Sequence, residues 1–193
     1  MKIQHQVNLS QFSTIKVGGA AKYFVAAQTE ADVISAVRWA EGRGVRFFVL
    51  GGGSNVIISD EEFDGLVIKM ETRGIEFKPQ SDSQVQDGFT IATASTGEIW
   101  DDFVTLCIEK NLAGIENLSG IPGTGGAAPI QNIGAYRQEV KDTVTEVSCL
   151  NTDTLEVERY GREACEFSYR DSVFKKELNS TRIFQNSVNN AIY

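Results

Sequence analysis

Apolar and polar positions change their period several times along the chain, and each change marks an element. Residues 22–26 (KYFVA) form a short β-prone run. Thr29 then predicts a helix N-cap, with Asp32 three residues on as a weak capping box. Val33, Ile34, Val37 and Ala40 follow at helical spacing on one face. Gly42 and Gly44 suit the helix end. Residues 45–50 (VRFFVL) read as a buried strand running into Gly51-Gly52-Gly53-Ser54-Asn55. Residues 56–59 and 66–70 read as two more strands.

A second unit starts near Arg73. Residues 75–78 and 89–95 are strand-like, and the polar stretch 79–88 between them reads as an exposed hairpin loop. Thr96 predicts a cap for a helix over 99–110, with Ile99, Phe103, Leu106 and Cys107 on one face and Asn111 as its stop. Residues 112–138 are rich in Gly and Pro, yet too apolar for an idle surface loop. Residues 144–150 and 155–160 alternate around Asn151-Thr152-Asp153-Thr154, a hairpin signal. Residues 162–166 read as a short helix before Tyr169-Arg170-Asp171-Ser172. This is an α+β pattern with mostly short strands.

Composition narrows the function. With 41% apolar residues the chain buries a real core, which argues against disorder. A formal net charge of −8 argues against a nucleic-acid partner or an anionic membrane. No apolar run approaches the ~18 residues of a membrane span, and the start of the chain has no apolar signal region. The three cysteines, Cys107, Cys149 and Cys165, lack CxxC spacing, which predicts no disulfide framework and a reducing, cytoplasmic setting. The single histidine, His5, excludes multi-histidine metal sites, and no carboxylate cluster has Ca²⁺ or Zn²⁺ spacing, so no metal is expected. Asp60-Glu61-Glu62 and Asp101-Asp102 read as solvated faces.

Three segments could carry chemistry. In residues 51–55, glycines let backbone N–H groups approach an anion while Ser54 and Asn55 add donors, which suits a phosphate or pyrophosphate. A permissive turn is the plain alternative. The Rossmann fingerprint fails at Val56, and the Gly-Lys-Ser/Thr of a P-loop is absent. Residues 121–136 (IPGTGGAAPIQNIGAY) set small residues beside Gln131 and Asn132. A flat heteroaromatic cofactor could lie on such a backbone with amide side chains at its ring edges. Close packing alone is the alternative. In the third segment Arg170 is a natural bidentate partner for a carboxylate or phosphate, or else half of an Arg170–Asp171 surface pair.

In this order, GGGSN, Gly114-Ile115-Glu116-Asn117-Leu118, IPGTGGAAPIQNIGAY and residues 167–175 (FSYRDSVFK) resemble the UDP-N-acetylenolpyruvoylglucosamine reductases. These are FAD enzymes of bacterial peptidoglycan precursor synthesis. Residues 14–19 (TIKVGG) resemble the family's opening, so the likeness runs over about residues 8–178. It implies a two-subdomain FAD-binding fold of the vanillyl-alcohol-oxidase type. The implied parts are a small α/β subdomain at 1–72 and an antiparallel-sheet subdomain at 73–181, with FAD between them. It implies that Gly51, Gly53, Ser54 and Asn55 surround the FAD pyrophosphate. Ile121, Pro122, Gly123, Gly126, Ile130, Gln131, Asn132 and Gly134 would line the flavin. Tyr169 and Arg170 would face the substrate, Arg170 polarising the enolpyruvyl carboxylate. The implied reaction passes hydride from NADPH through FAD to the enolpyruvyl double bond, forming UDP-N-acetylmuramate. A non-catalytic FAD-binding module, or another oxidase of the same fold, is the alternative.

The likeness also has limits. The family's C-terminal substrate domain, with its proton-donating serine and a glutamate, is missing, and Ser172 is not that serine. A truncated or frameshifted chain, inactive alone and prone to self-association through uncovered apolar surface, is therefore expected. Residues 182–193 read as a divergent tail with little strand alternation. Arg137 stands where the family carries glycine, and would be strained if its φ is positive.

Overall fold

A computed structural model describes residues 1–80, 89–176 and 182–192. The chain divides into two compact units, Met1–Thr72 and Arg73–Tyr193.

The first unit contains β1 (Gln4–Asn8), β2 (Ala20–Ala27), α1 (Glu30–Glu41), β3 (Phe47–Leu50) and β4 (Phe63–Met70). Its sheet has the order β1-β2-β4-β3. The strands β2, β4 and β3 are parallel, and β1 joins the edge antiparallel. The helix forms as its sequence predicts. Thr29 accepts from the Asp32 N–H, and the Asp32 carboxylate accepts from the Thr29 N–H, closing both halves of the capping box. Its buried face is Val33, Ala36, Val37 and Ala40, packed on β2 and β4. Full burial of each valine contributes about 1.5–3 kcal/mol. The opposite sheet face buries Leu9, Phe24, Leu50 and Val67.

Two expectations fail in this unit. The run 45–50 is not a buried strand: β3 lies at the sheet edge, and Phe48 is 41% exposed. A continuous apolar run does not tell a central strand from an edge strand. Residues 56–59 form no strand, and Ile57 is 88% exposed. Their backbone meets the 14–19 segment instead, through the Gly19 N–H to the Ser59 carbonyl at 2.7 Å.

The second unit contains β5 (Ile75–Gln80), β6 (Phe89–Ala94), α2 (Trp100–Glu109), β7 (Gly134–Ala135), β8 (Gln138–Glu139), β9 (Val144–Asn151), β10 (Val157–Gly161), α3 (Val173–Lys176) and β11 (Arg182–Ile192). The main sheet is antiparallel with the order β10-β9-β11-β6-β5. Strand β5 runs through Pro79 and Gln80, two residues beyond the expected end, and residues 81–88 of the expected loop lie outside the described residues. The Asn151 side chain closes the β9–β10 turn by accepting from the Asp153 and Thr154 N–H groups.

Thr96 does not cap α2. Ile99 occupies the cap position without a side-chain bond, and it is exposed rather than on the buried face. The buried stripe starts one residue later, at Trp100, Phe103, Val104 and Cys107. It packs with Ile115, Leu118 and Ala128 of the Gly- and Pro-rich stretch, and with Val140 just beyond it. The Trp100 indole N–H donates to the Leu118 carbonyl at 3.0 Å, satisfying a buried donor. Asn111 ends the helix region at φ 58°.

Residues 182–193, read as a tail without strand alternation, contain the central strand β11, paired to β9 on one side and β6 on the other. Two register shifts against β9, between Phe184 and Ser187 and between Asn189 and Asn190, explain the missing pattern. At the first shift β11 carries two unpaired residues, Gln185 and Asn186, and at the second β9 carries one, Thr145, so a single alternation cannot be read along the strand.

Candidate flavin-binding segments

In the first unit, residues 51–55 are a bent loop leaving the C-terminal end of β3. This is the end of parallel strands at which ligands gather in α/β sheets. Gly53 is buried with φ 72°, and a Cβ there would stand 1.9 Å from the Phe12 carbonyl oxygen. Only glycine permits that approach. The Gly53 carbonyl accepts the Thr14 N–H at 3.0 Å, tying the loop to the TIKVGG segment. Gly51 and Ser54 are half-buried, while Asn55 is exposed. The Gly53 approach packs the loop's main chain directly against that of Phe12.

In the second unit, residues 121–136 run across the α2 core. Ile121 packs against that core, Pro122 is exposed, and Gly123 turns at φ 136°. Gly126 is buried, its N–H donating to the Thr96 carbonyl at 3.0 Å. Ile130 packs against the Val144–Phe174 cluster, and its carbonyl accepts the hydroxyl of the fully buried Ser172 at 2.7 Å. Gln131 is half-buried.

Asn132 is fully buried, at φ 44°. Its Nδ2 donates to Glu139 Oε2 at 2.9 Å and to the Ser168 carbonyl at 3.0 Å, while its Oδ1 accepts the Lys141 N–H at 3.0 Å. These bonds use both Nδ2 protons and one of the two lone pairs of Oδ1. Both Asn132 amide protons are thus given to the chain itself, and the side chain fixes the backbone around it. Glu139, Lys141 and Ser168 carry this frame, and sequence reasoning missed all three because their pairing spans up to 36 residues.

The Arg170 guanidinium reaches the same backbone. Nη1 donates to the Asn132 carbonyl at 3.4 Å and Nη2 to the Gly134 carbonyl at 2.5 Å. The chain around it is a tight turn closed by paired Ser168–Asp171 backbone bonds, with Arg170 at φ 55°. Asp171 pairs with Lys176, so the surface pair Arg170–Asp171 is not what forms. Tyr169 is 80% exposed, with the Arg170 guanidinium 5.3 Å from its ring centre.

Arg137 has φ 67° and Tyr136 φ 49°, forming the two-residue turn between β7 and β8. Positive φ at both positions is the I′ geometry that favours glycine, so Arg137 is strained.

The electrostatics are local. The Lys141 ammonium, 2.5 Å away, holds the Glu139 carboxyl below the usual carboxylate range against a smaller opposing effect of burial, with Asn132 and the Arg170 charge assisting. Glu139 in turn raises Lys141. Asp101 is not a merely solvated carboxylate. It accepts from the Gly120 N–H at 2.6 Å and the Ser119 hydroxyl at 2.8 Å, and these bonds lower its pKa. Burial pushes the Cys107 and Cys165 thiols up to about 12, leaving them protonated and unreactive. Among the described residues, no group of His, Cys, Asp and Glu could hold a metal ion, and no helix is long and apolar enough to cross a membrane.

Comparison with known proteins adds the family. The FAD binding domain matches residues 21–158. A UDP-N-acetylenolpyruvoylglucosamine reductase of Streptomyces coelicolor is 43% identical over 173 residues, covering 90% of this chain and 43% of that protein. The reductase of Pseudomonas savastanoi pv. phaseolicola is 40% identical over 178 residues, covering 92% and 51%. The chain thus spans about half the length of the curated relatives it matches. The crystal structure of the Thermus caldophilus reductase has a TM-score of 0.74 at 23% identity, over 99% of this chain and 62% of that one. A vanillyl-alcohol-oxidase-type flavoprotein of Myceliophthora thermophila has a TM-score of 0.61 at 16% identity, over 92% and 32%. These likenesses show an α+β fold of the vanillyl-alcohol-oxidase type.

Proposed function

Because the chain belongs to the FAD binding domain family, we propose that it is the cofactor-holding part of a UDP-N-acetylenolpyruvoylglucosamine reductase. That enzyme would reduce the enolpyruvyl ether of a UDP-sugar with NADPH and FAD, in the cytoplasm. The observation that supports this most is the pair of hydrogen bonds that Arg170 donates to the carbonyls of Asn132 and Gly134. It sets a permanent cation against the segment proposed to line the flavin.

The residues fit the cofactor. Main-chain N–H groups of the loop at Gly53 would hold a pyrophosphate, with Gly51, Ser54 and Asn55 beside it. Ile121, Pro122, Gly123, Gly126, Ile130, Gln131 and Gly134 would line the flavin, with Asn132 shaping that lining through its backbone. FAD, when bound, supplies the carrier chemistry that takes hydride from NADPH and gives it to the enolpyruvyl double bond. The residues of the chain bind and orient. Arg170 has five N–H donors and uses only two on its own backbone, which leaves capacity for the substrate carboxylate. Its charge stabilises the negative charge that develops toward that carboxylate. Tyr169 would flank the same group, its ring exposed beside the guanidinium.

Self-association would follow from the apolar surface of the first unit. There Phe48 and Ile57 border a cavity of about 340 Å³ that is also lined by Leu50 and Val67. A sharp monomer in sedimentation at high concentration would remove that expectation. The cofactor reading is tested by incubating the purified chain with FAD, desalting it and recording its visible spectrum. Retained flavin absorption supports it, and complete loss overturns it.

A further inference from the structure

Four of the non-glycine residues with positive φ lie together in the second unit: Asn132, Tyr136, Arg137 and Arg170. Such conformations cost of order 1–3 kcal/mol each and persist where surrounding bonds over-determine them. The bonds here converge on Asn132. Its Nδ2 holds Ser168, which opens the turn carrying Arg170, and its own carbonyl accepts from the Arg170 Nη1. One residue therefore grips both the main chain before Arg170 and the guanidinium at its tip. What holds Asn132 in turn is Glu139, whose Oε2 takes the second Nδ2 proton. Gly134 completes the frame. Arg170 Nη1 lies 3.0 Å from where a Cβ at Gly134 would be, so any side chain there displaces the fork.

We propose that Glu139 is a positioning residue for Arg170: by hydrogen-bonding Asn132 it fixes the two carbonyls that lock the guanidinium plane. Glu139 neither binds substrate nor transfers a proton. It sets the direction of a cation that acts on a carboxylate, and that last role rests on the reductase reading above. The side chain of Glu139 is mostly buried, at 18% exposure, so solvent does not readily replace its bond. A locked fork loses less entropy when it captures a planar carboxylate than a free one would.

The test is nuclear magnetic resonance of the Arg170 guanidinium in the intact chain. Donation from Nη1 and Nη2 to two fixed carbonyls prevents rotation about the Cζ–N bonds, so resolved Nη signals are expected. A single averaged signal in the wild-type chain overturns the proposal without any variant. Glu139→Ala removes the acceptor and is expected to collapse the signals. Glu139→Gln keeps an oxygen acceptor for Asn132 and is expected to restore them. Persistence in Glu139→Ala overturns the proposal, and so does collapse in both variants. Should Glu139→Ala fail to fold, Asn132→Asp breaks the same bond from the other side, and collapse is again expected. FAD titration of the wild type reads the cofactor proposal separately. Resolved Arg170 signals without FAD binding would overturn the reductase reading and leave the clamp standing.

Discussion

Two glycine-containing segments, 51–55 in the first unit and 121–136 in the second, are held by different means. The first loop is held through main chain at Gly53, which packs against Phe12 and accepts the Thr14 N–H. No side chain fits at Gly53. The second depends on a buried amide and its three partners, and it carries residues with side chains through conformations that glycine would adopt more easily. A backbone contact is all-or-nothing under substitution, whereas a side-chain network fails by degrees. Substitutions can break or sharpen that contrast.

The largest effect is expected at Gly53. Gly53→Val drives a Cβ into a carbonyl oxygen and imposes a β-branched residue on φ 72°. A loss of about 5 kcal/mol or more is expected, because overpacking against backbone cannot relax by a rotamer change. Chemical denaturation should show no cooperative transition from the first unit, and flavin should not be retained. A wild-type transition would mean that the loop moves freely away from Phe12, removing the contrast at its root.

Asn132→Leu comes next. It leaves the Lys141 N–H without its acceptor, while the Ser168 carbonyl keeps the Asp171 N–H and the Glu139 carboxylate keeps Lys141. A buried group left wholly unpaired costs about 1–3 kcal/mol. Partial access of water and of Lys141 to Glu139 limits the sum, so a loss of about 2–4 kcal/mol is expected in denaturant melts. The second unit should still fold. Loss of all cooperative unfolding would show that the network, too, is all-or-nothing.

Arg137→Gly should act in the opposite direction. Relief of a non-glycine residue at φ 67° gains about 1–2 kcal/mol, and the extra freedom of glycine in the unfolded chain takes back about 0.4–1 kcal/mol. A net gain of about 0.5–1 kcal/mol is expected as a higher denaturation midpoint. An unchanged midpoint would mean that the turn between β7 and β8 already relaxes its strain through Tyr136.

The same contrast decides what was legible from the chain. Helix α1 was readable because its cap, its apolar face and its end all lie within fifteen residues and agree with one another. The bend at 51–55 was readable for a similar reason, since a run of glycine after an apolar strand predicts a turn. The resemblance to the reductases named Arg170 and Asn132, but the sequence did not show that they touch. That contact spans 38 residues and uses a main-chain acceptor, which no residue type announces. Glu139 lies only seven residues from Asn132 and meets it side chain to side chain, but nothing in a lone glutamate names which neighbour it takes. The strand β11 was hidden because register shifts erased its period, and the cap of α2 because Ile99 makes no side-chain bond at all. Local agreement between signals is what a sequence displays; distant bonds to backbone are what it conceals.

The smallest effect concerns acid, and it separates the two kinds of anchoring without any substitution. Asp101 and Glu116 accept the Gly120 and Gly114 N–H groups at 2.6 and 2.5 Å, and those bonds hold both carboxyls below their usual range. A carboxyl lowered in the folded state contributes stability that is present above its unfolded pKa, and that contribution is lost as pH falls through the folded value. Glu139 follows the same sign through Lys141. The amide resonances of Gly114 and Gly120 should therefore begin to move only as pH drops below about 4, while that of Thr14, whose N–H goes to the Gly53 carbonyl, stays in place until the first unit unfolds. If Thr14 moves together with the two glycines, the backbone contact in the first unit responds to a titrating group after all. If Gly114 and Gly120 stay still at that pH, the carboxylates of the second unit do not carry the anchoring assigned to them.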